Sequence, residues 1–308
     1  MPFRIIGETK IDFIGARKPA LIVSALFALL GLYATIMITT GHAHLGIQFT
    51  GGTSLEGYFE NPVEIADLRA ALTGPEFEDA EIIQVAKSRH PYTFLVRTKA
   101  MEGTTQKAQV VVDLIKQKFP GNNFTLDSVH EIGPAVGKTL QTQTRWAVLI
   151  SLLGILAYIT MRFDLRFGVG ATVATFHDVL AVIGIFYLLD VEINILLISA
   201  ILTLAGYSLT DKVTVYDRIR ENLKKFHRKG DFIPAVNRSI NEVLSRTIMT
   251  GTTVLAVLII LAAVGGPVLR DFALALILGI LIGTYSSIFV ASPIYVEWET
   301  RSPKRFKA

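Results

Sequence analysis

Six apolar runs, each about as long as a bilayer is thick, constrain this 308-residue chain more than any other feature. A helix rises about 1.5 Å per residue, so about 20 apolar residues cross ~30 Å of hydrocarbon. Only 18% of the residues are charged, against about 25% in soluble domains. The chain is therefore predicted to be an α-helical polytopic membrane protein with six transmembrane helices, at residues 19–40, 134–161, 167–189, 193–215, 246–264 and 272–296.

The first apolar run follows several basic residues, an arrangement found in both signal peptides and membrane anchors. A signal peptide has an apolar core of about 7–15 residues and a small-residue cleavage site. The run at 19–40 is longer than that, and no convincing cleavage site follows it. We interpret it as an uncleaved first transmembrane helix.

Residues 41–133 differ from the rest, because polar and apolar residues alternate there. Helical periodicity predicts two helices, at 63–72 and 102–119. Period-two alternation predicts four strands, at 53–59, 81–86, 92–98 and 124–132. The order β-α-β-β-α-β is typical of a ferredoxin-like fold. Gly51-Gly52 predicts a tight turn at the entrance to this domain. We expect one extracytoplasmic α+β ferredoxin-like domain between helices 1 and 2.

The short loops predict the orientation of the chain, because cytoplasmic loops carry an excess of Lys and Arg. Basic residues are concentrated in the N-terminal segment 1–18, after the second helix, in the loop or helix 216–245 and in the tail 297–308. The loops on the other side hold one basic residue, Arg270. Both termini are therefore predicted to be cytoplasmic and the α+β domain to lie outside.

Ionisable side chains occur within the predicted membrane helices. They are His177 and Asp178 in the third helix, Asp211 and Lys212 in the fourth, and Arg246 at the start of the fifth. A charge at the bilayer centre costs about 2.5–3.5 kcal/mol even by the mildest measure, so such residues usually face the bundle interior and mark an ion pathway. On a helix, Lys212 points about 100° away from Asp211.

These residues suggest a proton relay. We hypothesise that Asp211 binds and releases a proton, that Arg246 favours its ionised form, and that His177 and Asp178 complete the relay. Lys212 is a possible modulator of Asp211. Simpler interpretations stay open: Arg246 can anchor a helix end, Lys212 can extend to the lipid headgroups or pair with an acid, and His177 can hydrogen-bond a neighbouring helix.

Small residues predict close packing between helices. Gly279 and Gly283 form a G-x-x-x-G motif in the sixth helix, a spacing that lets two backbones approach each other. Gly206 in the fourth helix and Gly251 in the fifth offer similar small surfaces.

Motifs for enzymatic chemistry are absent from the sequence, which has no G-x-S-x-G, no H-E-x-x-H and no Walker A motif. It also has no cysteine, which excludes disulfides and Cys-ligated metals. We expect neither an enzyme nor a bound metal or cofactor. A transmembrane proton gradient is the expected energy source, since a membrane potential supplies about 2.3 kcal/mol per charge per 100 mV.

Several local motifs together resemble the SecD/SecF family of bacterial protein-export membrane proteins, within the RND superfamily. Asp211 and Arg246 match the aspartate and the arginine that the family places in the membrane. Each motif alone is weak, but the set is specific: residues 49–53, 177–178, 206–209, 217–222, 246–247, 265–269 and 286–288. Gln48, Thr210 and Lys212 depart from the family pattern, which has Asp, Asn and a small hydroxyl residue there.

The resemblance implies a location, partners and a role. Family members lie in the bacterial inner membrane and pair with SecD into a twelve-helix unit. They associate with the SecYEG channel and with YajC. The complex uses the proton gradient to draw a translocating preprotein out on the far side. A SecD aspartate completes the proton site in the family.

Two other functions are consistent with the residues. Half of an RND-type exporter of small molecules has a similar membrane part, but it would carry a larger, ligand-lined outer domain and a second similar half. A structural partner of SecD that conducts no protons would tolerate substitution of Asp211 and Arg246.

Overall fold

The computed structural model describes residues 9–72, 77, 80–85, 90–99, 107–225 and 232–303. The chain divides into two compact units, a membrane unit (residues 1–43, 147–191 and 196–308) and an α+β unit (residues 44–146 and 192–195). Residue 86 of the second predicted strand and residues 102–106 of the second predicted domain helix lie outside the described residues.

The described elements are, in chain order, α1 (Arg17–Thr39), α2 (Ile47–Thr50), β1 (Gly52–Phe59), α3 (Ile65–Ala71), β2 (Glu81–Gln84), β3 (Thr93–Lys99), α4 (Lys107–Lys118), β4 (Phe124–Ile132), α5 (Pro134–Arg162), α6 (Leu165–Leu188), α7 (Ile195–Leu223), α8 (Phe232–Val264), α9 (Gly266–Ser286), a π-helical segment (Ser287–Ala291) and α10 (Ser292–Arg301).

Six helical stretches among the described residues are long and apolar enough to cross a membrane: α1, α5, α6, α7, α8 and Leu269–Arg301. This confirms the predicted six-helix architecture. Burial differs strongly between these helices. In the apolar 18-residue stretch of α6, 67% of the residues are buried, against 6% in that of α5. Helix α6 is therefore a central element of the membrane unit, and α5 is peripheral.

Helices α7 and α8 extend well beyond the apolar runs from which they were predicted. α7 continues to Leu223 and α8 begins at Phe232 rather than at Arg246, so the predicted loop or helix 216–245 belongs largely to these two helices. The reason is an apolar stripe beneath the charged residues. Its members, Ile219, Leu223, Phe232, Val236 and Ile240, are buried in one core cluster.

Polar contacts join the same ends of α7 and α8. The guanidinium of Arg218 donates to Glu242 at 2.6 Å, and the side-chain amide of Asn222 donates to the same carboxylate at 2.7 Å. Asn222 is buried and also donates to the Ser239 hydroxyl at 3.1 Å. These contacts hold the C-terminal end of α7 against the N-terminal end of α8.

The segment before α1 is held by two asparagines of α8. The Asn237 side chain accepts from the Ile14 backbone N–H at 2.9 Å and donates to Asp12 at 2.6 Å. One turn later, Asn241 accepts from the Ile11 N–H and donates to the Ile11 carbonyl, at 3.0 and 2.9 Å. The amides thus pair with main-chain groups that would otherwise be unsatisfied.

The last membrane stretch contains a π-helical turn at Ser287–Ala291. Pro293 follows it, and a proline has no N–H to donate to the preceding turn. The buried hydroxyl of Tyr216 donates to the carbonyl of Ala291 at 3.1 Å and so satisfies an acceptor of the irregular turn. Beyond it, Glu299 of α10 forms an ion pair with Arg166 of α6.

The α+β unit contains a four-stranded antiparallel sheet of order β2-β3-β1-β4. This order agrees with the ferredoxin-like prediction. Its core holds apolar residues from the strands and from α3 and α4, among them Leu55, Phe94, Leu68 and Ile115. At the entrance Gly51 and Gly52 have φ angles of 75° and 151°, which favour glycine, as the predicted turn requires.

Residues 192–195, at the end of the loop between α6 and α7, belong to the α+β unit, which the sequence did not indicate. The backbone N–H of Ile193 donates to the His44 carbonyl at 2.8 Å, and the Gly46 N–H donates to the Ile193 carbonyl at 2.9 Å. Glu192 in the same loop forms an ion pair with Arg97 of β3. Residues distant in the sequence thus complete the base of this unit.

The crossing of α1 and α6 depends on glycine. A Cβ atom at Gly31 would overlap with the carbonyl group of Leu180. We expect Gly31→Ala to lower the free energy of unfolding by about 1–3 kcal/mol, the usual cost of overpacking. Gly154→Ala is the matched control, because a Cβ there meets nothing within 4 Å. Thermal unfolding in detergent measures both, and equal melting temperatures would contradict this packing.

Candidate functional site

An ion pair lies in the interior of the membrane unit. The ammonium Nζ of Lys212 on α7 donates to Oδ2 of Asp178 on α6 at 2.8 Å. Both side chains have 0% exposure. Burying either charge alone would cost several kcal/mol, so α6 and α7 can bring these residues inside only as a pair.

Two further side chains complete this cluster. The Ser208 hydroxyl donates to Oδ2 of Asp178 at 2.6 Å and accepts from Lys212 at 2.5 Å. The Nδ1 atom of His177 lies 3.0 Å from the other oxygen of Asp178. Both carboxylate oxygens are therefore engaged. The second ring nitrogen of His177, Nε2, is buried without a hydrogen-bond partner among the described residues.

Helix α9 closes the cluster from a third side, and glycine permits its approach. A Cβ at Gly283 would lie 2.8 Å from the Ser208 hydroxyl, and one at Gly279 would overlap with Leu204. The predicted G-x-x-x-G motif thus packs against α7. Gly251 faces Ile280 and Thr284 at ordinary contact distances, whereas a Cβ at Gly206 would meet nothing within 4 Å.

Asp211 has a different environment from Asp178. Its side chain is nearly buried, with 7% exposure, and the hydroxyl of Thr284 on α9 donates to its Oδ2 at 3.3 Å. Within the described part of the chain, no Lys, Arg or His nitrogen lies within 4 Å of its carboxylate oxygens. The charge of Asp211 is therefore not neutralised by this chain in the way that the charge of Asp178 is.

Arg246 lies on α8 and is exposed in the isolated chain. Among the described residues its guanidinium makes no ion pair, and the structure does not bring it within salt-bridge distance of Asp211. The residues predicted to form one relay thus lie in two places. His177 and Asp178 form a cluster with Lys212, whereas Asp211 and Arg246 each lack an ionic partner in the described chain.

The expectation that Lys212 extends to the lipid headgroups is wrong, because its side chain is completely buried. The alternative that it pairs with an acid holds, and the acid is Asp178. Ser208 was not among the predicted site residues. Its position four residues before Lys212, on the same face of α7, is the signal that could have identified it. No comparable spacing marks Thr284.

Taken together, six membrane-spanning helices, ionisable residues enclosed between them and a small α+β unit define a polytopic membrane transport protein. The comparisons with known proteins specify the family. Residues 111–301 match the model for the C-terminal region of the protein export membrane proteins SecD and SecF. The chain belongs to the SecD/SecF family.

Curated relatives named "Protein translocase subunit SecF" match nearly the whole chain. The one from Thermodesulfovibrio yellowstonii is 47% identical over 292 residues, covering 94% of this chain and 95% of the relative. The one from Desulfurispirillum indicum is 38% identical, with 94% and 92% covered. These names describe a transport role rather than a catalytic one, and they indicate no enzyme family.

Solved structures of SecDF contain the same fold. A crystal structure from Thermus thermophilus superposes with a TM-score of 0.81 at 38% identity, covering 96% of this chain but 39% of that one. SecDF in its super-membrane-facing form gives a TM-score of 0.68 at 37% identity, covering 97% of this chain and 40% of that one. The chain thus spans about two fifths of the length of these SecDF chains.

The Ser208 hydroxyl is predicted to stabilise the cluster. Ser208→Ala removes a donor to Asp178 and an acceptor for Lys212, so we expect the free energy of unfolding to fall by about 1–3 kcal/mol. Thr203→Ala, at an exposed position on the same helix where the hydroxyl donates to a backbone carbonyl of that helix, should change it by less than about 0.5 kcal/mol. Thermal unfolding in detergent compares the two variants, and equal effects would show that the cluster contributes no stability.

Proposed function

We propose that this chain is a subunit of the bacterial Sec protein translocase that binds and releases protons at Asp211 during preprotein export. The observation that carries this proposal is the contrast between two enclosed carboxylates. Asp178 has a fixed cation, Lys212, whereas Asp211 has none in the described chain. A carboxylate at that depth without a cation either binds a proton or takes a partner from elsewhere. Exchange between those two states takes up and releases a proton, and uptake from one side with release to the other is proton transport.

Asp211 and Arg246 form the working pair of this proposal. Arg246 reaches Asp211 in the ionised state, and the contact is released when Asp211 is protonated. The His177–Asp178 pair on α6 is linked to the same helix as Asp211, because Asp178 accepts hydrogen bonds from Ser208 and Lys212 of α7. The energy source is the transmembrane proton gradient, and no cofactor is involved.

A partner half covers part of the membrane unit in this proposal. Exposed polar residues follow one side of α7 and of α8: Thr203, Thr210, Arg246, Thr250 and Thr253. An arginine facing hydrocarbon is costly, so a protein surface is a more favourable neighbour than lipid. SecD is the proposed partner, because the SecDF chains that contain this fold are more than twice as long. SecD would also supply the second acid of the site.

The cellular arrangement follows from the same family. The chain lies in the bacterial inner membrane with both termini in the cytoplasm and the α+β unit outside. Acting with SecYEG and YajC, the complex draws the preprotein outward after it has entered the channel and releases it. The small size of the α+β unit, one four-stranded sheet, disfavours an exporter that encloses small ligands. The non-conducting alternative is decided by experiment at Asp211.

Asp211→Asn is expected to abolish proton flux, by at least about 100-fold, because an amide cannot carry the proton. The measurement is proton uptake and preprotein export in vesicles that contain the chain together with SecD and SecYEG. Asp217→Asn is the matched control on the same helix, where the carboxylate is half exposed and pairs with Arg162 at 3.0 Å. It should leave flux within about twofold of the native value.

Arg246→Met should also lower flux strongly while the complex still assembles. Normal flux and export in both Asp211→Asn and Arg246→Met would refute proton transport and favour a structural partner of SecD. Normal flux with lost export would instead place the two residues in contact with other translocase subunits.

Orientation can be tested directly, because the chain has no cysteine and needs no background substitutions. A cysteine at His42, before the α+β unit, is expected to react with a membrane-impermeant maleimide in intact spheroplasts. A cysteine at Ser302, after α10, should react only in inverted vesicles. Labelling of both from one side would overturn the proposed topology.

A further inference from the structure

Lys212 occupies the position that a mobile cation or a proton would take on Asp178. Its Nζ atom lies 2.8 Å from Oδ2 of Asp178 and 2.5 Å from the Ser208 hydroxyl. An ammonium group bound this way satisfies the carboxylate as a bound cation would, but it cannot leave. The complete burial of both side chains means that water does not compete for these contacts.

Among the described residues, no Lys or Arg other than Lys212 lies beside Asp178, and His177 is a cation only when it binds a proton itself. On its own helix, His177 approaches the second carboxylate oxygen. Helix α9 adds Gly283, where a Cβ would lie 3.7 Å from Oδ2 of Asp178. The nearby titratable residues of α7 and α9, Asp211 and Tyr285, are an acid and a phenol and supply no cation. Helix α1 has no charged side chain between 19 and 39, and Arg246 of α8 is exposed. Among the described residues, Lys212 is the one Lys or Arg within 4 Å of Asp178.

We propose that Lys212 is a positioning residue that keeps Asp178 permanently ionised and so withdraws it from proton traffic. Among the described residues of α6 and α7, Asp211 is then the buried carboxylate that exchanges a proton. This inference rests on the proposed function, because it presupposes proton exchange at Asp211. In this inference Asp178 carries a fixed charge, in place of the relay role predicted from the sequence. Lys212 sets the protonation state of Asp178, in addition to any modulation of Asp211.

The proposal makes a specific statement about a chain without the lysine. In Lys212→Met the side chain keeps a similar length and flexibility but loses the charge. Asp178 then keeps its contacts with Ser208 and His177 but has no Lys or Arg beside it, and binding a proton is the least costly way to remove its buried charge. The variant should therefore contain two exchangeable buried carboxyl groups instead of one.

Infrared difference spectra between high and low pH can count these groups, since a protonated carboxyl has its own C=O stretching band. The sample is the complete complex with SecD in lipid vesicles. We expect the spectrum of Asp211→Asn to lack one carboxyl band that the native spectrum contains. The spectrum of the double variant Asp178→Asn/Lys212→Met should contain all the native bands. Lys212→Met should gain a band that disappears when Asp178→Asn is added. Lys212→Arg retains the charge and should show the native number of bands.

The outcomes separate this inference from the proposed function. Proton flux in the double variant Asp178→Asn/Lys212→Met should stay within about threefold of native, because the pair is removed as a unit. A loss of more than about tenfold in a folded double variant, or no added band in Lys212→Met, overturns the role of Lys212. If Lys212→Met does not fold, the double variant and Lys212→Arg still decide the question. Normal flux in Asp211→Asn refutes the proposed function instead.

Discussion

Neutralising charge inside an apolar bundle determines how α6, α7 and α9 pack. Asp178 and Lys212 lie on different helices, and neither can be buried alone without a cost of several kcal/mol. Sliding or rotating α6 against α7 would separate them, so the pair fixes the register of the two helices. The same constraint explains the glycines at 279 and 283. Helix α9 must come close to Ser208 to exclude water from the ion pair, and residues without a Cβ allow this approach.

The two acids of this bundle show how position alone differentiates one chemical group. Asp178 accepts hydrogen bonds on both oxygens and has a cation held by the backbone of the next helix. Asp211, three residues after Ser208, accepts one hydrogen bond from Thr284 and has no ion-pair partner among the described residues. The central helix α6 thus holds an acid with a fixed counter-charge, and in the proposed function Asp211 on α7 is the acid whose charge changes.

Much of the fold followed from the sequence. Long apolar runs and period-two alternation identified six membrane helices and the succession of strands and helices in an α+β domain, because burial of backbone in lipid or in a sheet imposes those patterns. The extended ends of α7 and α8 could not be predicted in this way. There, a narrow apolar stripe under Arg218 and Glu242 carries the packing, and a count of hydrophobic residues misses it.

The site was predictable in its residues but not in its pairing. The cost of charge in a membrane singled out Asp178, Asp211, Lys212 and Arg246. Which cation meets which acid depends on the rotation and height of each helix, to within a few ångströms, and sequence periodicity fixes neither. Lys212 therefore appeared as a neighbour of Asp211 in sequence, whereas in the structure its hydrogen bond goes to Asp178 on α6.

The π-helical turn has a consequence for comparing relatives. A turn of this kind holds one residue more than an α-helical turn, so the segment Ser287–Ala291 resembles a single-residue insertion absorbed within a helix. Each residue advances a helix by about 100°, and α10 is rotated by that amount relative to an uninterrupted helix. This rotation contributes to placing Glu299 against Arg166. A hydrophobic repeat counted straight through from Gly266 would therefore assign α10 the wrong face.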